Sequence, residues 1–65
     1  MADKKTDPKP VKLLLVDDDH DLRQDMAAFF QRSGYHVTDC GSSQEALDLT
    51  DRQHFDVAIL DMVIP

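Results

Sequence analysis

The sequence has one cysteine, two glycines and no apolar run longer than five residues. A single cysteine, Cys40, cannot form an internal disulfide, and no spacing of cysteine and histidine suggests a zinc site. This use of cysteine favours a reducing, intracellular setting, so we expect the protein in the cytoplasm. No apolar run is long enough to span a membrane, and residues 1–10 lack the apolar core of a secretory signal.

Basic residues are scarce over most of the chain. The formal net charge is −6 over 65 residues, with seven Lys and Arg against thirteen Asp and Glu. All four lysines fall in the first twelve residues, whereas three arginines accompany eleven acids from Leu13 onward. Because phosphate binding needs clustered Lys and Arg, this acidic body argues against a nucleic-acid or anionic membrane partner. It is compatible with a bound divalent cation.

Three short segments have the composition of strands. Residues 12–16 and 57–60 are nearly uninterrupted apolar runs, typical of strands buried on both faces of a parallel sheet. Residues 35–40 have a mixed pattern, which favours an edge strand. Residues 1–10 contain charges and prolines with little apolar content, and we expect a flexible leader there.

Two segments between these strands have helical spacing. Residues 19–33 carry a stripe of apolar side chains that we assign to the core: Leu22, Met26, Phe29 and Phe30. Gly34 suits the left-handed position after this helix. Ser42 and Glu45 form a capping-box pattern that opens a second helix at about 43–53. Its predicted apolar face is Ala46, Leu47 and Thr50, with Leu49 beside it.

The element order is therefore β-α-β-α-β, which predicts an α/β fold with a parallel sheet. If the third strand pairs with the free side of the first, the strand order is 2-1-3 and the helices cover opposite faces. That arrangement is the beginning of a flavodoxin-like sheet, whose full order is 2-1-3-4-5.

Both apolar strands end in carboxylates, at Asp17-Asp18 and at Asp61. Sites in open α/β sheets form beyond the carboxyl ends of strands where the strand order reverses, so these three acids are expected to converge. Clustered carboxylates repel one another, and Mg²⁺ with its preference for oxygen ligands would relieve that repulsion.

Asp61 is the candidate nucleophile, because an aspartate can attack a phosphoryl group and form an aspartyl-phosphate. Asp17 and Asp18 alone could equally be turn residues, whereas Asp19 and Asp21 are better explained as helix-start residues. Surface positions are expected for the histidines, although His20 is near enough to the acids to remain a minor candidate. Cys40 is expected to pack as a small apolar residue.

Four segments, in this order and spacing, resemble the receiver domain of bacterial two-component response regulators: LLLVDDDHDLR, SGYHV, SSQEAL and FDVAILDMVIP. The resemblance covers residues 11–65. It implies that Asp61 is the phosphoacceptor, that Asp18 binds Mg²⁺ directly and that the neighbouring Asp17 acts through water. It also implies that the backbone carbonyl of Val63 completes the metal site.

The resemblance further implies a sensor histidine kinase as phosphoryl donor and an output domain or effector that lies outside this chain. Receivers continue with two more strands and three helices, so residues 11–65 are expected to be the first half of one. The Ser/Thr and Lys that hold the phosphoryl group in the family have no counterpart here. An exposed third strand would invite self-association.

Two other functions remain open from the sequence. One is a receiver-like module that is not phosphorylated and serves only as an interaction surface. The other is a fragment of a haloacid-dehalogenase-type phosphatase, for which Asp17-Asp18-Asp19 offers an Asp-x-Asp, although His20-Asp21 replaces the expected Gly-Thr. A P-loop enzyme is disfavoured because the chain has only Gly34 and Gly41. For the leading hypothesis we expect a phosphorylation switch without independent substrate turnover.

Overall fold

A computed structural model of the chain describes residues 9–61. The elements, in chain order, are β1 (Lys12–Asp17), α1 (His20–Arg32), β2 (His36–Cys40), α2 (Ser43–Arg52) and β3 (Val57–Asp61). This order confirms the predicted β-α-β-α-β alternation. The predicted leader falls mostly outside the described residues, as does Val63.

The three strands form one parallel sheet in the order β2-β1-β3. The fold class and the strand order predicted from the sequence are therefore confirmed, with β1 at the centre and β2 at one edge. Residues 13–17 of β1 are all buried, as expected of a strand covered on both faces. The same expectation is wrong for residues 57–60, because in the described range β3 is an edge strand and only Ile59 is partly buried.

The side chains of β1 alternate between two small cores. Leu13 and Leu15 pack with Ala27 of α1, whereas Leu14 and Val16 pack with Cys40 and with Ala46 of α2. The two helices therefore cover opposite faces of the sheet, because successive side chains of a strand point to opposite sides.

Helix α1 begins after Asp19, whose side chain accepts a hydrogen bond from the main-chain N–H of Leu22 at 3.0 Å. The helix ends before Gly34, which has a φ of 99°. The predicted core stripe is only half right. Met26 and Phe30 pack on the sheet, but Leu22 and Phe29 are exposed, Phe29 to 56%. Ala27 takes the buried position instead, because a small side chain lets the helix approach β1 closely.

Helix α2 starts with the predicted capping box. The Ser42 hydroxyl accepts from the Glu45 N–H at 3.2 Å, and the Glu45 carboxylate accepts from the N–H of Gly41 at 3.2 Å. Ala46 is buried and Leu49 packs beside it, but Leu47 is 61% exposed. The predicted apolar face of α2 is therefore right for Ala46 and wrong for Leu47 and Thr50, which are exposed, whereas Leu49 packs on the sheet. Neither helix is long and apolar enough to cross a bilayer in the part of the chain that the structure covers.

Candidate functional site

Asp17 and Asp61 are register partners on the neighbouring strands β1 and β3. Adjacent strands lie about 4.8 Å apart, and paired residues of parallel strands project to the same face. The two acids that end the apolar runs are therefore neighbours at the carboxyl edge of the sheet. This edge lies where the chain passes from one side of β1 to the other, which is the place where α/β sheets form their sites.

Asp17 is a buried carboxylate whose two oxygens have different surroundings. The residue as a whole is only 2% exposed. Oδ1 accepts the main-chain N–H of Asp19 at 2.9 Å, whereas Oδ2 is buried and has no hydrogen-bond partner in the described part of the chain. A buried polar atom without a partner costs about 1–3 kcal/mol, and more when the group is charged. Oδ2 is therefore an oxygen whose burial a bound cation or a metal-bound water would compensate.

The other predicted ligands are less fully defined. Asp18 and Asp61 are both exposed, and the backbone carbonyl of Val63 lies outside the described residues. Within residues 9–61, no three His, Cys, Asp or Glu side chains lie together as a ready metal site. The complete ligand set of Asp17, Asp18, Asp61 and Val63 therefore stays a prediction, of which the pairing of Asp17 with Asp61 is visible.

The nearby polar residues have local structural roles. Asp19 caps α1, as predicted, and Asp21 lies exposed in the first turn of that helix. The ring of His20 is 3.4 Å from the carboxylate of Asp21 and is largely exposed, which is the expected surface position. Cys40 is buried, and this burial raises the pKa of its thiol. The Cys40 thiol is thus a packing group beside the site.

Sequence reasoning missed an arginine that contacts the acidic edge. Arg23 donates from Nη1 to the main-chain carbonyl of Asp17 at 2.8 Å and from Nε to the carboxylate of Asp39 at 2.8 Å. Gly41 lies against the same guanidinium. Arg23 lies on α1 six positions after Asp17, but Asp39 is on β2, so no local pattern in the sequence could have linked the three residues.

The site thus combines one buried carboxylate, two exposed carboxylates and the nearby guanidinium group of Arg23, which two hydrogen bonds hold in place. Carboxylate oxygens suit a hard divalent cation such as Mg²⁺ and offer no soft ligand for zinc or copper. An exposed carboxylate such as Asp61, at the end of a strand, is also accessible to a phosphoryl donor. The geometry defines an α/β protein with an acidic site at the strand-order reversal.

Comparison with known proteins identifies the family of α/β proteins to which this chain belongs. The family model of the response regulator receiver domain matches residues 13–65. Because the match covers most of the chain, the chain belongs to the response regulator receiver family. Receiver domains are signalling modules, and the predicted resemblance is confirmed.

Curated relatives agree with this assignment. The chain is 45% identical over 58 residues to the transcriptional activator protein PfeR of Pseudomonas aeruginosa, covering 89% of this chain and 19% of the relative. It is 33% identical over 54 residues to the regulatory protein VanR of Enterococcus faecium, covering 83% of this chain and 23% of the relative. Sporulation initiation phosphotransferase F of Bacillus subtilis is 33% identical over 54 residues, which cover 83% of this chain and 44% of the relative.

The chain therefore spans less than half the length of these relatives. No solved structure matches the chain.

Proposed function

We propose that this chain is the phosphoacceptor segment of a two-component signalling protein. Asp61 takes the phosphoryl group, and Asp17 and Asp18 hold Mg²⁺ together with Asp61 and the carbonyl of Val63. The observation that carries the proposal is the buried Oδ2 of Asp17, which no described residue hydrogen-bonds and which lies on the strand that pairs with Asp61. The family membership of the chain supports the same assignment.

Asp61 acts as the nucleophile in this proposal. One oxygen of its carboxylate forms a bond to the phosphorus of a phosphohistidine, and the phosphorus–nitrogen bond of the donor breaks. The imidazole nitrogen keeps the electron pair, so the products are an aspartyl-phosphate and a free histidine. Bound Mg²⁺ would supply positive charge that neutralises the phosphoryl oxygens. Asp17 and Asp18 would hold the Mg²⁺ ion beside Asp61.

The donor in the proposal is a sensor histidine kinase, and the readout is an output domain or effector outside this chain. The protein is proposed to act in the cytoplasm as a switch, without independent turnover of a substrate. Residues 11–65 are proposed to form the first half of the receiver, with a second half supplying the groups that hold the phosphoryl oxygens.

The test of Asp61 is phosphorylation of the intact protein by acetyl phosphate in the presence of Mg²⁺. Wild type should gain a phosphoryl group that mass spectrometry detects and that is lost in mild base, as expected of an acyl phosphate. Asp61→Asn should gain none, because the amide is not a nucleophile for this transfer. Asp51→Asn, which removes the same charge from an exposed position on α2, should behave as wild type.

Equal labelling of Asp61→Asn and wild type would overturn the assignment of Asp61. A wild type that binds Mg²⁺ without accepting a phosphoryl group would favour the interaction-module alternative. Steady release of phosphate from an ester, abolished by Asp17→Asn, would instead favour the phosphatase alternative.

A further inference from the structure

The guanidinium of Arg23 is held by two elements other than its own helix. Nε donates to Oδ2 of Asp39 on β2 at 2.8 Å, and Nη1 donates to the carbonyl oxygen of Asp17 at the end of β1 at 2.8 Å. The Arg23 side chain is 15% exposed and that of Asp39 is 33% exposed. Among residues 9–61, this is the one ion pair between a carboxylate and an arginine or lysine. Its partial burial makes it less screened by solvent than a surface pair.

Gly41 leaves the space that this guanidinium occupies. A Cβ added at Gly41 would lie 2.7 Å from Nη1 of Arg23 and 3.9 Å from the Asp17 carbonyl oxygen. The backbone of Gly41 does not have a positive φ, so its conformation does not require glycine. Close approach of the arginine is therefore the physical reason for a glycine at this position.

The contact to Asp17 acts on the turn that carries the acids. The peptide that follows the Asp17 carbonyl leads to Asp18, and the Asp19 N–H is held by Oδ1 of Asp17 at 2.9 Å. The turn is thus fixed by Arg23 from one side and by the Asp17 side chain from the other. Because Asp18 itself is exposed, its position depends on these neighbouring contacts.

We propose that Arg23, which donates a hydrogen bond to Asp39 and lies against Gly41, is a positioning residue that orients the Asp17–Asp18 turn for cation binding. This inference rests on the proposed function, because the cation is the one that Asp17 and Asp18 would bind. Arginine suits the role since its planar fork donates in two fixed directions, whereas lysine offers a single flexible charge. Residues that orient metal ligands through hydrogen bonds affect metal affinity without touching the metal.

Gly41→Ala provides a variant that separates positioning from folding. The added methyl group comes too close only to the far end of a flexible side chain, since the Asp17 carbonyl oxygen at 3.9 Å is at ordinary contact distance, so the guanidinium can move away with little cost to the fold. Arg23 keeps its charge in this variant but loses its hydrogen bond to the Asp17 carbonyl oxygen. Arg23→Lys also tests positioning, because it keeps the positive charge but removes the planar guanidinium that donates to Asp39 and Asp17 at once.

The experiment is a Mg²⁺ titration of the intact protein, followed by the amide resonances of Asp18 and Asp19, with the Tm measured in parallel. We expect Arg23→Ala, Arg23→Lys and Gly41→Ala each to weaken Mg²⁺ binding roughly tenfold. The Tm of Gly41→Ala should stay close to that of wild type. Arg32→Ala, at the far end of the same helix and exposed, should leave Mg²⁺ binding unchanged.

A wild type that binds Mg²⁺, with Gly41→Ala and Arg23→Lys binding it equally well, would overturn the positioning role and leave the proposed function standing. A wild type whose Asp18 and Asp19 resonances do not respond to Mg²⁺ would overturn the proposed metal site, and this inference with it.

Discussion

Asp17 illustrates how one side chain can serve the fold and the site together. Oδ1 accepts the Asp19 N–H and shapes the turn into α1, while the buried Oδ2 has no hydrogen-bond partner among residues 9–61. A fully satisfied turn residue would have both oxygens paired or in water. The unpaired oxygen therefore distinguishes Asp17 from Asp19, whose carboxylate is exposed and caps a helix.

Asp56 provides a pH-dependent prediction at the opposite end of the sheet. The Lys12 main-chain N–H, bonded to Oδ2 at 2.9 Å, is the main cause that lowers the pKa of Asp56, and the His54 ring at 2.9 Å from Oδ1 adds to it. Because the pKa is lower in the folded state, these contacts stabilise the fold above the unfolded-state pKa of about 4. The stabilisation is lost as the pH falls through the folded-state pKa.

The measurement is an NMR titration of the side-chain carboxyl carbons. Asp56 should titrate below the ordinary aspartate range, and His54→Ala should raise its pKa only part of the way because the Lys12 contact remains. His36→Ala, which removes another exposed histidine, should leave the pKa of Asp56 unchanged. Titration of Asp56 at the ordinary value in wild type would contradict the prediction.

Among the elements, β1 has the central role. It pairs with both other strands and contributes alternate side chains to the cores under α1 and α2. The helices are set by local signals at their ends, of which the capping box at Ser42 and Glu45 is the clearest. The start of α2 therefore depends on a few side chains that can be changed without disturbing the sheet.

Ser42→Ala should lower the free energy of unfolding by about 1 kcal/mol, because it removes the hydroxyl that accepts the Glu45 N–H. Ser43→Ala is the matched control, since Ser43 is exposed inside the first turn and does not cap the helix. Chemical denaturation of the intact protein measures both variants. Equal unfolding free energies for the two variants would show that the cap contributes nothing to stability.

For the whole molecule, the main feature is an open edge at β3. In the described range this strand pairs only with β1, and its Leu60 is 69% exposed. An open groove of about 440 Å³ lies between Thr50 of α2 and Ala58 of β3, with Phe55 in its lining. An exposed apolar edge strand offers unpaired backbone groups to another chain.

We therefore expect the 65-residue chain, taken alone, to be marginally stable and to self-associate through β3. Leu60→Lys should reduce the association measured by sedimentation at several concentrations, because a charge on an edge strand opposes strand pairing. Leu47→Lys, which alters a similarly exposed leucine on α2, should have a smaller effect. A monomeric chain with a sharp unfolding transition independent of concentration would contradict this expectation.

The sequence alone was sufficient for the strand order, the helix starts and the acids at the strand ends. These features depend on patterns within a few residues, such as the apolar runs that end at Asp17 and Asp61. The family resemblance also followed from such short segments. Tertiary structure was needed for the burial of Asp17 and for the exposure of Phe29 and Leu47, because these depend on how each helix packs against the sheet. The Arg23–Asp39 contact joins residues 16 positions apart, and it exists only because the fold brings α1 beside the end of β2.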